Sequence, residues 1–316
     1  MPTNSKEITT IKPTIFLIQK PLSQKSISMI SQKDQKSNRY TKSVKNLTFP
    51  DFFGIIQAKL YLPNQKGTAI MIKETLWRNE FRQIEFEFEG RYATLIFPPE
   101  GTANQHWMLK TEYFGAFPSV EIKLLRKGYH LAYLKNINRI GTDIDTDAKA
   151  RFAQFLHKNY GLSEKCVPVG MSCGGLQAVN FAAKYPSLVS VLYLDAPVMN
   201  FLSWPFGMGD CFVNRGPVQQ KEVLDALGMT KSELICFRGH PIDKIPTLIE
   251  HKIPVVMVYG DSDTVVPYPE NGYVLEKAYK AAGIPLAVYG KAGCEHHPHG
   301  LEDPSPIIDF IETWDQ

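Results

Sequence analysis

The sequence lacks long hydrophobic runs and a strong net charge. No stretch approaches the 18 or more apolar residues of a membrane-spanning helix. The apolar run near the start, residues 14–18, is shorter than the roughly 7–15 residues of a signal-peptide core. A formal net charge of +3 over 316 residues is too small to indicate a polyanionic partner. We therefore expect neither a membrane nor a nucleic-acid partner.

Cysteine is also scarce and unpatterned. The five cysteines are an odd number, are scattered along the chain and include no C-x-x-C pair. This distribution argues against a disulfide framework and against a zinc site. The simplest interpretation is reduced thiols in a cytoplasmic protein that needs no metal and no cofactor.

What is present is the composition of an ordinary globular chain, with 44% hydrophobic and 21% charged residues. The start differs, because residues 1–45 hold nine Lys or Arg against only Glu7 and Asp34. Few aromatic residues and an excess of basic charge make burial of this stretch costly. We predict a basic, polar extension over residues 1–46 and a single domain over residues 47–316.

Hydrophobic periodicity predicts the fold class. Residues 81–89 alternate apolar and polar side chains, and a turn joins them to an apolar run at 92–97, which suggests an antiparallel hairpin. Strand and helix patterns then alternate. The predicted strands cover 129–134, 166–169, 190–194, 253–259 and 287–289, and the predicted helices cover 120–126, 145–160, 176–185 and 307–314. This alternation predicts an α/β fold with a mostly parallel sheet flanked by helices.

Residues 196–250 interrupt the alternation with weak helical patterns and several prolines. Ligands of such sheets bind beyond the carboxyl ends of the strands. An insertion at this point is therefore expected to cover the site as a helical lid. Its aromatic residues Trp204, Phe206 and Phe212 are expected either on the lid surface or in the lid core.

The segment G-M-S-C-G at residues 170–174 matches the G-x-S-x-G pattern of nucleophilic serine turns. It follows an apolar strand and opens a helix, which is the context in which a serine occupies a strained turn. Small neighbours are needed because strand and helix pass closely there, and the helix N-terminus favours a developing oxyanion. We predict Ser172 as the nucleophile, against the alternative of a purely structural turn.

A serine nucleophile needs a base and an acid that orients the base. The acid is sought in Y-G-D-S-D-T-V-V-P, residues 259–267, which follows a predicted strand. Its second carboxylate, Asp263, is the predicted acid. Asp261 in the same turn and Asp195 at the end of another predicted strand are the alternatives.

The base is sought in G-C-E-H-H-P-H-G, residues 293–300, which holds three of the eight histidines. It lies downstream of the serine and the acid, and Ser, Asp, His is the chain order of α/β-hydrolase triads. We predict His296, with His297 and His299 as alternatives. A histidine cluster also suits a metal, but no carboxylate or cysteine pattern elsewhere completes such a site.

The oxyanion hole needs two backbone N–H donors. The first predicted donor is Cys173, which follows the nucleophile. The second is expected in the loop after the strand at 92–97, where the two prolines at 98 and 99 have no N–H. Glu100 is the predicted donor, with Gly101 and Trp107 as alternatives.

These motifs resemble the α/β-hydrolase superfamily over roughly residues 75–314. The nearest resemblance is to bacterial serine hydrolases grouped with prolyl-oligopeptidase-like and acetylxylan-esterase-like branches, and segments 107–110, 114–118 and 195–197 also look similar to one such group. Such relatives often carry a large or basic residue after the serine, where this chain has Cys173. That departure bears on substrate preference rather than on the nucleophile.

We expect hydrolysis of a small-molecule carboxylic ester that carries a small or carbohydrate-linked acyl group. One alternative is a peptidase for short peptides, whose lid would need paired carboxylates such as Asp210 and Glu222. Another alternative, from a different class, is a non-catalytic binding protein on a hydrolase scaffold.

Overall fold

The computed structural model describes residues 60–63, 69–214 and 216–316. The chain divides into two units between Glu74 and Thr75. In the first unit, strand β1 (Leu60–Pro63) pairs antiparallel with β2 (Ala69–Trp77), and β2 continues into the second unit. The predicted extension over residues 1–46, and its boundary, lie outside the described residues.

Within the described part of the second unit, eight further strands follow one another in one sheet. They are β3 (Phe81–Phe88), β4 (Arg91–Ile96), β5 (Trp107–Lys110), β6 (His130–Leu134), β7 (Val167–Met171), β8 (Leu192–Asp195), β9 (Val255–Gly260) and β10 (Leu286–Lys291). Their order across the sheet is β3–β4–β6–β5–β7–β8–β9–β10. β4 pairs antiparallel with β3 and with β6, and all pairs from β6 to β10 are parallel. The predicted mostly parallel sheet with an antiparallel opening hairpin is confirmed.

The sequence-based prediction missed strand β5. It has only four residues, all buried, and it lies between β6 and β7 in the middle of the sheet. Its last residue is Lys110, whose Nζ lies 2.5 Å from Glu121 Oε1 with both side chains 1% exposed. Buried charges are tolerated when they are paired. A run this short that ends in lysine carries little hydrophobic periodicity, which is why the pattern did not reveal it.

Eight α-helices are described in the second unit. They are α1 (Ser119–Arg126), α2 (Asp143–Tyr160), α3 (Cys173–Lys184), α4 (Pro217–Leu227), α5 (Lys231–Cys236), α6 (Ile245–Glu250), α7 (Gly272–Ala282) and α8 (Ser305–Trp314). Apolar residues of α1 and α8 pack against Val169, Tyr193 and Val256 of the sheet. None of the described helices is long and apolar enough to cross a membrane.

The insertion at residues 196–250 holds α4, α5 and α6 between β8 and β9. Trp204 and Phe206 are buried in it, in one apolar cluster with Cys173 and Leu176 of α3. Phe212, in contrast, is 74% exposed. The two buried aromatic residues therefore form the core of the insertion, and this core packs on the helix that begins at the serine turn.

Candidate active site

The serine turn lies between the end of β7 and the start of α3. Ser172 has φ +53°, in the left-handed region that non-glycine residues rarely adopt. Its N–H donates to the Asp195 carbonyl oxygen at 2.9 Å, and its own carbonyl accepts from Gly175 N–H at 2.9 Å. The strained conformation is thus held by hydrogen bonds to the neighbouring strand and within the helix. Such strain persists only where the surroundings fix it.

Close backbone approach explains the glycines around Ser172. A Cβ on Gly170 would lie 2.4 Å from the Gly174 carbonyl oxygen. A Cβ on Gly175 would lie 2.5 Å from Pro197 Cβ. Both distances are far shorter than van der Waals contact. The glycines let the strand and the helix meet tightly enough to turn the serine outward.

His296 is the histidine that the structure brings to the serine. Its Nε2 lies 3.0 Å from Ser172 Oγ, and its Nδ1 lies 2.7 Å from Asp263 Oδ2. The ring is 7% exposed. A carboxylate at Nδ1 favours the tautomer with the proton on Nδ1, which leaves the Nε2 lone pair facing the hydroxyl.

Asp263 is fixed by backbone donors on its other oxygen. Oδ1 accepts from Val265 N–H at 2.8 Å and from Val266 N–H at 2.9 Å. The alternative acid Asp261 is exposed and accepts from Gly293 N–H at 2.7 Å instead. Of the two carboxylates in this turn, the structure brings Asp263 to His296.

The other two histidines of the motif lie beside His296. Among the described hydrogen bonds, neither of them reaches the Ser172 hydroxyl. His299 Nδ1 lies 2.7 Å from Asp195 Oδ1, so the third candidate acid is paired with a different histidine. His297 is exposed and stacks on Phe117 with ring centroids 5.6 Å apart. Burial, and then its two histidine neighbours, lower the pKa of His297 below the usual value.

The three histidines also form the one metal-compatible group found among the described residues. One ring nitrogen of each lies within 4.8 Å of the others. Imidazole nitrogens are common zinc ligands, with Zn–N distances of roughly 2.0–2.1 Å. Two of the rings already use Nδ1 on a carboxylate, and the free nitrogen of His296 faces Ser172. The geometry therefore matches a serine–histidine pair directly, whereas a metal would compete with it.

The predicted donor Glu100 is wrong, because it lies at the opposite edge of the sheet. β4 runs antiparallel to β6, with Ile96 opposite Leu131, so the chain after β4 lies where β6 begins. Ser172 follows the carboxyl end of β7, at the other edge. Gly101 shares the loop with Glu100, and Trp107 begins β5 at that same edge, so neither alternative reaches the serine turn.

The loop after β5 lies beside the serine turn instead. Thr111 Oγ1 lies 2.7 Å from the carbonyl oxygen of Gly174, which is two residues after the serine. Tyr113 has φ +56°, and its N–H donates to Glu112 Oε1 at 3.2 Å. The amides of Glu112 and Tyr113 are therefore the candidates for the second donor. Knowledge of the sheet order would have identified these two amides, but the sheet order includes β5, the strand that hydrophobic periodicity did not predict.

A buried polar network holds this loop, and the sequence did not reveal it. Glu112 Oε2 accepts from Gln177 Nε2 at 3.1 Å and also from the Asn136 side chain. Lys149 donates to Gln177 Oε1 at 2.8 Å and to Asn136 Oδ1. Burial lowers the pKa of Lys149 to about 8, against the opposing effect of Asp145 and Glu112. These hydrogen bonds tie the loop to α2 and α3.

Cys173 is unsuited to act as a nucleophile. Its side chain is fully buried beside Leu176 and Trp204 in the core of the insertion. Burial raises the pKa of the thiol to about 11, and the reactive form of a cysteine is the thiolate. What Cys173 offers to the site is its backbone N–H at the start of α3.

Arg139, in the segment between β6 and α2, forms an ion pair with the insertion. Its Nε and Nη2 lie 2.8 and 2.6 Å from the two carboxylate oxygens of Glu222 on α4. Its guanidinium also lies 5.7 Å from the Trp204 ring centroid. This two-pronged ion pair neutralises Glu222, one of the two carboxylates considered for a peptide N-terminus. The other, Asp210, is exposed.

The sheet order, the serine turn and the histidine loop together define the α/β-hydrolase fold, as the sequence resemblance implied. The sequence matches no protein-family model, and it matches no curated protein significantly. The assignment to this fold therefore depends on the structure and on structural neighbours.

Solved structures support the fold. An acylaminoacyl peptidase from Pyrococcus horikoshii is similar with a TM-score of 0.54 and 16% identity, over 78% of this chain and 48% of that chain. A provisionally named carboxylesterase from Lactobacillus plantarum has a TM-score of 0.53 and 10% identity, over 78% of this chain and 98% of that chain. A provisionally named dipeptidyl aminopeptidase IV from Bacteroides ovatus has a TM-score of 0.51 and 13% identity, over 78% and 35%.

This chain therefore spans about a third of the dipeptidyl aminopeptidase chain and about half of the acylaminoacyl peptidase chain. It spans nearly all of the carboxylesterase chain. Identities of 10–16% establish a shared fold and leave the reaction to be argued from the site.

Proposed function

We propose that the protein is a serine hydrolase that cleaves a carboxylic ester through an acyl-enzyme. The observation that supports this most directly is the continuous pair of hydrogen bonds from Ser172 Oγ through His296 to Asp263, at 3.0 and 2.7 Å. A nucleophile, a base within hydrogen-bond reach and a group that orients the base are the parts that acyl transfer needs.

In the proposed reaction, His296 Nε2 accepts the hydroxyl proton as Ser172 Oγ forms a bond to the ester carbonyl carbon. The carbonyl oxygen takes the π-electron pair and becomes an oxyanion. When the tetrahedral intermediate collapses, the C–O bond to the alcohol breaks and the alcohol takes the proton from His296. Water then attacks the acyl-enzyme by the same steps, which releases the acid and restores the serine.

The proposed oxyanion hole combines the N–H of Cys173 with an N–H of the loop after β5. The first lies at the N-terminus of α3, where the helix field favours negative charge. For the second we favour Tyr113, which lies in the loop beside the serine turn and whose N–H would exchange its contact with Glu112 Oε1 for the oxyanion. One such donor is worth about 2.7–4 kcal/mol of barrier.

An ester is preferred to a peptide as substrate because of the charges near the site. Capture of a peptide N-terminus calls for unpaired carboxylates. Glu222 is neutralised by Arg139, so it cannot form with the exposed Asp210 the carboxylate pair that a peptide N-terminus would need. A small acyl ester needs no such partner. The names of the structural neighbours include both esterases and peptidases, so they do not distinguish the two substrates.

The test uses the full-length protein with p-nitrophenyl acetate and a fluorophosphonate probe. Wild type should hydrolyse the ester and be labelled at Ser172, and Ser172→Ala should lose both properties while keeping its circular dichroism spectrum. A panel of acyl esters and aminoacyl amides should show faster turnover of the esters. Amide turnover above ester turnover would favour the peptidase, and a wild type that is neither labelled nor active would favour a binding protein.

A further inference from the structure

A second buried histidine–carboxylate pair lies next to the proposed triad. His299 Nδ1 is 2.7 Å from Asp195 Oδ1, and both side chains are 2% exposed. The other oxygen of Asp195 accepts from Gly300 N–H at 2.6 Å and from the Tyr193 hydroxyl at 3.3 Å. A buried carboxylate with this many donors is strongly held in one orientation.

Asp195 also holds the nucleophile through its backbone. Its carbonyl oxygen accepts the N–H of Ser172 at 2.9 Å, in line with the parallel register that sets Met171 beside Asp195. One residue therefore binds the serine turn with its main chain and the histidine loop with its side chain. These two parts of the proposed triad belong to segments more than 100 positions apart in sequence.

The ring of His299 in turn packs against the ring of His296. The two centroids are 5.1 Å apart and the planes are nearly perpendicular at 79°. His299 lies three residues after His296 in the same loop, and Gly300 follows it. Fixing His299 and Gly300 on Asp195 therefore limits where the imidazole of His296 can lie relative to Ser172 Oγ.

We infer that Asp195 and His299 are positioning residues that set the distance between the proposed base and the nucleophile. The inference rests on the proposed function. His299 acts through its Nδ1–H, which binds Asp195, and not through proton transfer at Nε2. Misplacement of a reacting group by about 1 Å can cost roughly 10²-fold in rate, so loss of the pair should lower kcat more than it changes KM.

Three substitutions of His299 distinguish the roles of its two ring nitrogens. His299→Asn places an amide N–H near the position of Nδ1, His299→Gln places one near Nε2, and His299→Ala has neither. We expect kcat for p-nitrophenyl acetate to fall by roughly 10- to 100-fold in the alanine and glutamine variants. The asparagine variant should keep most of the wild-type kcat. The rate of fluorophosphonate labelling should follow the same order, because it depends on the same base.

The Asp195→Asn variant should show the same loss of kcat as His299→Ala. The matched control is Asp315→Asn. Asp315 Oδ2 lies 3.0 Å from His106 Nδ1, in a histidine–aspartate pair at the opposite edge of the sheet. Loss of that pair should change stability to urea while leaving kcat within about threefold of wild type.

The outcomes are distinct. A glutamine variant that is active while the asparagine variant is not would overturn the inference and assign the role to Nε2. Variants that lose stability in urea but keep kcat in the folded protein would also overturn it, leaving a purely structural pair. A wild type without esterase activity or labelling would instead reject the proposed function.

Discussion

The carboxylate of Asp263 is held by three hydrogen bonds before any substrate binds. Two backbone N–H groups occupy Oδ1, so the carboxylate cannot turn, and Oδ2 is left for His296 Nδ1. This arrangement selects the imidazole tautomer that can accept a proton at Nε2. At the scale of single residues, Asp263 thus fixes the tautomer of His296, the proposed base.

Asp263→Asn should therefore impair turnover severely with little change in fold. The two backbone donors keep the amide oxygen in the place of Oδ1, so the amide N–H₂ faces His296 and favours the tautomer with the proton on Nε2. We expect kcat for p-nitrophenyl acetate to fall by roughly 10³- to 10⁴-fold. Asp261→Asn, in the same turn but exposed, is the control and should lose only a few-fold. Equal losses in the two variants would contradict the assignment of Asp263.

At the scale of elements, the junction of β7 and α3 depends on how closely helix, strand and following loop approach. Gly174 and Gly175 are neighbours in the first turn of α3, but their surroundings differ. A Cβ on Gly174 would lie 3.3 Å from its nearest neighbours, both side-chain atoms, whereas a Cβ on Gly175 would meet Pro197 Cβ at 2.5 Å and Cα at 2.8 Å. Only the second glycine is required by backbone packing.

Gly175→Ala should consequently destabilise the protein more than Gly174→Ala. Overpacking of a tight contact costs about 1–3 kcal/mol, and the gain in helix propensity, about 1 kcal/mol, is the same at both sites. Urea unfolding should show a lower midpoint for Gly175→Ala than for Gly174→Ala. A similar midpoint in both variants would mean that Pro197 moves aside easily.

At the scale of the whole molecule, polar groups gather at the carboxyl ends of the parallel strands. Lys110 ends β5, Ser172 follows β7, Asp195 ends β8, Asp263 follows β9 and His296 follows β10. Several tyrosines of the second unit are buried or half-buried, and burial is the first cause that raises their pKa. These tyrosines are Tyr113, Tyr129, Tyr133, Tyr160, Tyr193, Tyr268 and Tyr279.

The raised tyrosine pKa values predict a loss of stability at alkaline pH. Burial raises the pKa of Tyr129, Tyr133 and Tyr279 well above the usual value, and the others shift in the same direction. Above about pH 10, tyrosines of the unfolded chain lose protons that the folded state retains. The folded state then binds more protons, so the free energy of unfolding falls as pH rises.

Urea unfolding at pH values on either side of about 10 measures this effect. The unfolding midpoint should fall on the alkaline side, and phenolate absorbance should rise together with the loss of circular dichroism. Phenolate absorbance that rises while the protein remains folded and equally stable would show that these hydroxyls ionise freely in the native state.

The sequence by itself was sufficient for the features that local geometry controls. The strained turn at Ser172 needs small residues at set positions, and the five residues 170–174 show that pattern in the sequence. The alternation of strand and helix patterns likewise identified the α/β class, because periodicity follows from the geometry of each element. The chain order of serine, acid and histidine needed no three-dimensional information.

Only the tertiary structure decided which candidates meet. His296 and Asp263 are 33 positions apart, and His296 and Ser172 are 124 apart, so their contact depends on how strands are ordered rather than on any local pattern. The crossover that sets β6 between β4 and β5 places Glu100 away from the serine turn and the loop after β5 beside it. The same sheet order pairs Asp195 with His299 rather than with the proposed base His296, because neighbouring parallel strands end at the same edge of the sheet.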